Sequence, residues 1–283
     1  MKIAISAEST IDLPREILEE YKITTVPFSV TLGEKIQDDG VVTPEDIFEY
    51  VDMTGVLPKT SAVNEARYEE YFGELLKKYD AIIHFSLSSD LSSSYNNACL
   101  AKEELGGKNI FVIDSMSLST GIALQAIYAS QLRDEGLAPE EIVNKVKERI
   151  PHDQASFVLA TVDYLYKGGR CSALAKLGAQ LFRIRPQILV KDGKMGPGKK
   201  YLGKQTSCVD SYCKDTLEEF NTPDLSIAFV THSSATPEMV EIAKKHLQER
   251  GFKKIIETKA GATITSHCGP KCLGILYMND GGR

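Results

Sequence analysis

Four times in the first 135 residues a short apolar run gives way to a segment whose apolar residues recur with helical spacing. The runs are 2–6, 24–30, 81–86 and 110–114. The helical segments after them are 14–21, then 44–52 and 64–77, then 92–104, then 119–135. A strand that rejoins its sheet in the same direction needs a long crossover, and a helix is the usual one. The alternation therefore predicts a mostly parallel sheet with helices on its faces. Pro14 suits the first turn of a helix, and the β-branched run 24–30 suits a strand. In sheets of this kind ligands sit beyond the carboxyl ends of the strands. The polar clusters after Ser6, Ser86 and Asp114 are the places that rule selects.

The pattern changes after a further helix at 139–150. Pro151-His152-Asp153 reads as a boundary, and beyond it the strands lie closer together, at 155–160, 187–191 and 199–203. Asp192-Gly193 is a hairpin-type turn. Strand 226–231, helix 237–250 and strands 254–259 and 273–278 complete the chain. This half reads as an α+β or mixed-sheet domain. A length of 283 residues suits two domains, here 1–150 and 151–283.

Charge and composition exclude several classes. The net charge is −6, which argues against nucleic acid as a partner. No apolar run reaches the length of a membrane span. The opening Met1–Ile5 stretch is too short for a signal-peptide core and reads as a first strand, so a cytoplasmic location is expected. The six cysteines (Cys99, Cys171, Cys208, Cys213, Cys268 and Cys272) are scattered, which favours thiols over a disulfide framework. Charge is uneven in one place. Arg183, Arg185, Lys191, Lys194, Lys199, Lys200 and Lys204 stand against Asp192 alone. That segment is either a solvated basic face or a docking patch for an acidic partner.

Four clusters carry possible chemistry, each with a plainer alternative. Residues 86–95, Ser-Leu-Ser-Ser-Asp-Leu-Ser-Ser-Ser-Tyr, follow a buried-looking strand and open a helix. Hydroxyls and free N–H groups there suit a carboxylate, but serine is also a preferred helix cap. Thr60 and Ser61, in Leu57-Pro58-Lys59-Thr60-Ser61-Ala62, stand ahead of the next helix and invite the same two readings. Lys167-Gly168-Gly169-Arg170 either ends a helix with a solvent-facing cation or aims a guanidinium inward. His267 lies in the small-residue stretch 261–270, read as a loop before the last strand. It is either a carboxylate donor or a structural histidine, and His232 is in the same position.

Sharper motifs fail on their own terms. Gly193 to Lys199 fits the first seven places of a phosphate-binding loop, but Lys200 stands where Ser or Thr would hold magnesium, and strand-like sequence follows. His267, Cys268 and Cys272 lack a paired C-x-x-C partner, so no metal site is expected. No G-x-S-x-G elbow is present. An enzyme reading survives as the alternative: a hydrolase or acyl transferase using Ser92 or Cys268 with His267.

Taken in order along the chain, these segments resemble the DegV family, the fatty-acid-binding subunits of bacterial fatty acid kinase. Glu8-Ser9-Thr10-Ile11-Asp12-Leu13 is similar to the family's opening D-S-T-x-D-L. Pro58-Lys59-Thr60-Ser61 matches P-x-T-S, and Ser88 to Tyr95 matches S-S-x-L-S-G-T-Y. Val112-Ile113-Asp114-Ser115, Lys167 to Arg170, and Gly261 to His267 match the remaining motifs. Glu8 stands in place of the usual Asp, Ala62 in place of Gln and Ser93 in place of Gly. Lys271 and Cys272 replace a glycine-rich stretch.

The resemblance implies a three-layer α/β/α domain with a parallel sheet, then a mixed-sheet α/β domain, with the ligand between them. It implies a long-chain fatty acid whose carboxylate is held by Thr60, Ser61, Ser92 and His267, with Ser93 and Arg170 near the site. It also implies a carrier rather than an enzyme, with no cofactor. A separate kinase would phosphorylate the bound acid with ATP and feed phospholipid synthesis, and the basic residues 183–204 are a possible dock for it.

Overall fold

The computed structural model describes residues 1–173 and 184–282. The first half runs β1 (Ile3–Glu8), α1 (Arg15–Tyr21), β2 (Ile23–Val26), β3 (Ser29–Leu32), β4 (Lys35–Asp38), α2 (Pro44–Thr54), β5 (Lys59–Ser61), α3 (Glu65–Leu76), β6 (Ala81–Ser86), α4 (Ser94–Glu104), β7 (Ile110–Asp114), α5 (Thr120–Asp134) and α6 (Pro139–Arg149). The second half runs β8 (Asp153–Val158), α7 (Asp163–Gly168), β9 (Arg185–Lys191), β10 (Lys194–Tyr201), α8 (Gln205–Glu219), β11 (Ile227–Ser233), α9 (Pro237–Arg250), β12 (Lys254–Lys259), α10 (Ala262–Cys268) and β13 (Cys272–Met278).

Strands β2-β1-β6-β7 form a wholly parallel sheet, as the alternation predicts. Every residue of β1 and β6 is buried, because helices cover both faces and the strands carry apolar residues on both. Ile5, Ile82, Ile83 and Phe85 have no exposed surface. Truncating one of the isoleucines to Ala costs about 2–5 kcal/mol by the usual core scale. The second sheet, β10-β9-β8-β13-β11-β12, is mixed: only β11 and β12 run parallel. The fold is therefore α/β, with a parallel sheet and a separate mixed one.

Helix α5 lies between the two sheets, touching β1 and β6 on one side and β8 and β13 on the other. It is consequently buried almost all round, polar residues included. Thr120 meets Thr231 of β11 at 2.6 Å, and Gln125 donates to the Ser115 carbonyl at 2.9 Å. At the end of α6, Arg149 donates to Asp280 at 2.6 Å and to Asp224 at 2.8 Å. Its guanidinium lies 4.6 Å over the Tyr128 ring.

Three local expectations change. The run 24–30 is two strands rather than one, because Pro27 has no N–H to give to a ladder. The chain leaves the parallel sheet there and enters a small antiparallel sheet, β4-β3-β5. Helix α8 has no counterpart in the sequence reading. Its buried stripe is Cys208, Val209, Tyr212, Cys213, Thr216 and Leu217, and the polar and sulfur groups in it mask the helical period. The strand expected at 199–203 begins earlier, at Lys194, directly after a turn in which Asp192 (φ 50°) and Gly193 (φ 77°) are both left-handed. Those angles fit a type I′ hairpin, which accounts for the glycine-rich stretch that mimics a phosphate loop.

Candidate ligand site between the two sheets

The carboxyl ends of the parallel strands and the facing elements of the mixed-sheet half enclose a cavity of about 380 Å³. Thr60 and Ser61 reach it from β5, which is fixed by antiparallel pairing of Val30 with Thr60 and Ser29 with Ser61. Ser92 and Ser93 reach it from the loop after β6, and Leu118 from the loop after β7. From the other half come Leu165 and Arg170, Met195 of β10, and Thr263, Ile264, His267 and Cys268 of α10. All six residues singled out for the head group or its surroundings therefore line one space.

His267 sits in a helix, not in the loop the sequence suggested. The small residues of α10 hold helical form because side chains from the first half take its leading N–H groups. Asp12 accepts from the Gly261 N–H at 2.8 Å, and Asp39 accepts from Ala262 and Thr263 at 2.9 and 3.3 Å. A carboxylate at a helix N-terminus is favoured both by the bonds and by the dipole. Burial pushes Asp12 up to about 8. Its bonds from Ser119 and Gly261 oppose the rise, and the charge of Asp39 adds to it.

At the other end of α10, His267 Nε2 lies 2.8 Å from Thr60 Oγ1. Among the described residues its Nδ1 has no hydrogen-bond partner, and it packs against Gly168, where a Cβ would stand 2.6 Å from it. Gly169 (φ 73°) closes α7 in the left-handed conformation. The paired glycines thus have separate duties, one admitting the imidazole and the other ending the helix. Arg170 is exposed, lines the cavity, and donates to the Gly168 carbonyl at 2.8 Å. Desolvation, assisted by the charge of Arg170, lowers His267 to about 4, so it is neutral at pH 7.

Ser92 Oγ accepts from the Ser94 N–H at 3.2 Å, an ordinary helix-start bond. The N-cap of α4 is Ser93, whose side chain makes no capping bond, so the cluster lines the cavity without capping the helix in the expected way. Asn97, one turn into α4, also lines the cavity and donates to the Val63 carbonyl at 2.8 Å. The sequence reading passed over it. A smaller void of about 30 Å³ shares Leu118, Ile264 and Cys268 with the main cavity. Phe157, Cys272 and Leu276 line it, with Ser156, Thr231 and His232.

The nucleophile arrangement required by the enzyme alternative is not assembled. His267 Nε2 bonds Thr60 rather than Ser92 or Cys268, and among the described residues no carboxylate orients Nδ1. Cys268 and Cys272 lie against each other, and Cys272 is pushed up by its bond to Cys268 and by burial. His232 is buried away from the main cavity, 3.2 Å from Glu257.

The basic residues follow the β9–β10 hairpin at the edge of the mixed sheet. Lys191, Lys200 and Lys204 are exposed. Lys199 pairs with Asp215 at 3.0 Å, Lys194 faces Asp90 at 3.7 Å, and Arg185 is half-buried. Arg183 lies outside the described residues. Among the described residues no helix is long and apolar enough to cross a membrane.

An α/β chain whose parallel and mixed sheets close on a pocket of hydroxyls, one neutral imidazole and apolar side chains has the makings of a small-molecule binding protein. The chain belongs to the DegV family: the family model, described as "Uncharacterised protein, DegV family", matches residues 2–280. It is 31% identical over 280 residues to a DegV domain-containing protein of Clostridium acetobutylicum, with 98% of each chain covered. Its fold superimposes with a TM-score of 0.91 on a DegV family protein from Thermus thermophilus, at 23% identity over 98% of this chain and 99% of that one. It superimposes with a TM-score of 0.82 on a stearic acid-binding protein from Eubacterium ventriosum, at 27% identity and 98% coverage of both.

Proposed function

We propose that this protein binds one long-chain fatty acid and carries it without transforming it. The observation that carries the reading is the composition of the cavity: the hydroxyls of Thr60, Ser61 and Ser92, the His267 imidazole and Arg170 share one space with a wall of Phe28, Leu87, Leu91, Leu118, Leu165 and Ile264. The tail supplies affinity. At about 0.8 kcal/mol per buried methylene, roughly fourteen of them contribute about 11 kcal/mol before association costs. The head group sets orientation, since a buried carboxylate must be hydrogen-bonded, and the hydroxyls and imidazole are the donors. The similarity to a stearic acid-binding protein supports the ligand class.

In the fuller form of this reading, residues 1–150 and 151–283 act as two domains with the acid between them. The bound carboxylate is then offered to a separate kinase, which forms an acyl phosphate with ATP for phospholipid synthesis. The exposed cations Lys191, Lys200 and Lys204, with Arg183, Arg185, Lys194 and Lys199 beside them in sequence, are the proposed docking surface.

Native mass spectrometry of the purified protein, followed by extraction and identification of lipid, tests the binding step. A one-to-one adduct of a long-chain acid is expected. A protein that carries no lipid and takes up no added acid overturns the reading. The kinase step is tested by ATP-dependent acyl phosphate formation with and without a fatty acid kinase.

A further inference from the structure

Glu8 is the last residue of β1 and has no solvent-exposed surface. Such a carboxylate is costly unless its oxygens are met by donors, and here they are. Oε2 accepts from the Leu87 N–H at 2.7 Å. Oε1 accepts from Ser86 Oγ at 2.6 Å, Tyr68 Oη at 2.6 Å and Ser94 Oγ at 3.0 Å. His84, also buried, places Nε2 3.6 Å from Oε1, while its Nδ1 pairs with Ser6 Oγ at 2.9 Å. Burial alone would raise the Glu8 pKa, but the imidazole and the hydroxyl donors bring it below the ordinary carboxylate value.

The partners are not scattered. Ser86-Leu87 and Ser94 flank the loop that carries Ser92 and Ser93, so one carboxylate ties both ends of it. Ser94 gives its N–H to Ser92 Oγ and its hydroxyl to Glu8, leaving Ser92 one residue from the buried charge. Tyr68 belongs to α3, the helix entered directly from Thr60-Ser61 through the Asn64 cap. The two segments that bring hydroxyls to the cavity thus hang on the same group. A hydrophobic residue would fill the volume as well, but it would not fix the two segments relative to each other.

We propose that Glu8, with His84 beside it, is a positioning residue for the head-group end of the cavity. It sets the spacing of the Thr60-Ser61 and Ser92-Ser93 hydroxyls and thereby selects ligands that end in a carboxylate. This rests on the fatty-acid reading above.

The test compares two ligands of one chain length, palmitic acid and the matching fatty alcohol, on the full chain. Glu8→Gln keeps the shape but replaces one acceptor oxygen by a donor that faces Leu87 N–H or the three hydroxyls. The expected result is a tenfold or greater rise in Kd for the acid and little change for the alcohol. In a Ser92→Ala background the same substitution should cost less than in the parent, because part of its effect runs through Ser92. Glu8→Asp, which keeps the charge, should recover part of the loss. Tyr68→Phe removes one donor and should give the same pattern more weakly, which keeps the proposal open to test if Glu8→Gln does not fold. Equal losses for acid and alcohol, or full additivity with Ser92→Ala, would mean a purely structural role and overturn it. No change for either ligand overturns it as well. If the wild-type chain binds neither compound, the fatty-acid reading itself has failed and this proposal falls with it.

Discussion

His267 Nε2 and Thr60 Oγ1 meet at 2.8 Å although 207 residues separate them in the chain. The contact closes the cavity across its two walls, since Thr60 belongs to β5 and His267 to α10. Both groups can turn a hydrogen-bonding atom to a carboxylate placed between them. A hydrogen bond to a charged group contributes about 1.5–3 kcal/mol, or roughly 10- to 150-fold in affinity. His267→Ala should weaken binding of a long-chain acid by that order while leaving the melting temperature near that of the parent. Titration calorimetry beside thermal melts checks this. An unchanged Kd would remove His267 from the head-group site.

The same histidine makes binding a proton-linked event. Desolvation holds it to about 4, so at pH 7 it binds no proton. A carboxylate arriving beside it favours the imidazolium and raises that value. A group whose pKa is higher in the complex takes up protons on binding, so affinity should rise as pH falls through the raised pKa towards 4. The expected signature is net proton uptake in the window between about 4 and the raised value, read as a binding enthalpy that varies with the ionisation enthalpy of the buffer. His267→Asn should lose that variation. Equal proton uptake in parent and variant would place the linkage on another group.

Gly168 offers a test from the opposite side of the ring. Its backbone is ordinary helix, so an added methyl is not strained by conformation. The obstacle is His267 Nδ1, 2.6 Å from where the Cβ would lie. Gly168→Ala should push the imidazole off Thr60 and cost about as much affinity as removing the ring. With His267→Ala already present it should cost little more, because residues in contact are not additive. A double-mutant cycle on fatty acid Kd measures the coupling. Full additivity would show that Gly168 does not act through His267.

The sequence made the site's residue types legible and left its supports hidden. Thr60, Ser61, Ser92 and His267 stand out because their order resembles the DegV pattern; taken singly, hydroxyls ahead of helices read as caps and a histidine in a loop as structural. The parallel sheet was equally readable, since β1 and β6 are short, mostly apolar runs, each followed by a helical pattern. Helix α10 was not, because what stabilises it lies more than two hundred residues away, in Asp12 and Asp39. Glu8 likewise looks like one more charge in a polar stretch until the fold surrounds it with donors. Helix α8 was hidden by a buried stripe built from Cys, Tyr and Thr. Local pattern reports which residues face inward; it does not report which distant carboxylate completes a helix end.

Asp12 supplies the last prediction, on stability rather than binding. Its folded pKa is raised to about 8, against about 3.9 for an unfolded aspartate. Between those values the folded state binds the proton more tightly than the unfolded one, so this residue's contribution to stability falls as pH rises from about 4 to 8. Asp12→Asn removes the titration while keeping an oxygen for the Gly261 N–H and an amide for Ser119, whose hydroxyl can turn to accept. The variant should therefore show a flatter stability profile over that window, gaining on the parent as pH approaches 8. Denaturant unfolding at a series of pH values measures the difference. Parallel profiles for parent and variant would mean that Asp12 stays ionised and that its hydrogen bonds outweigh its burial.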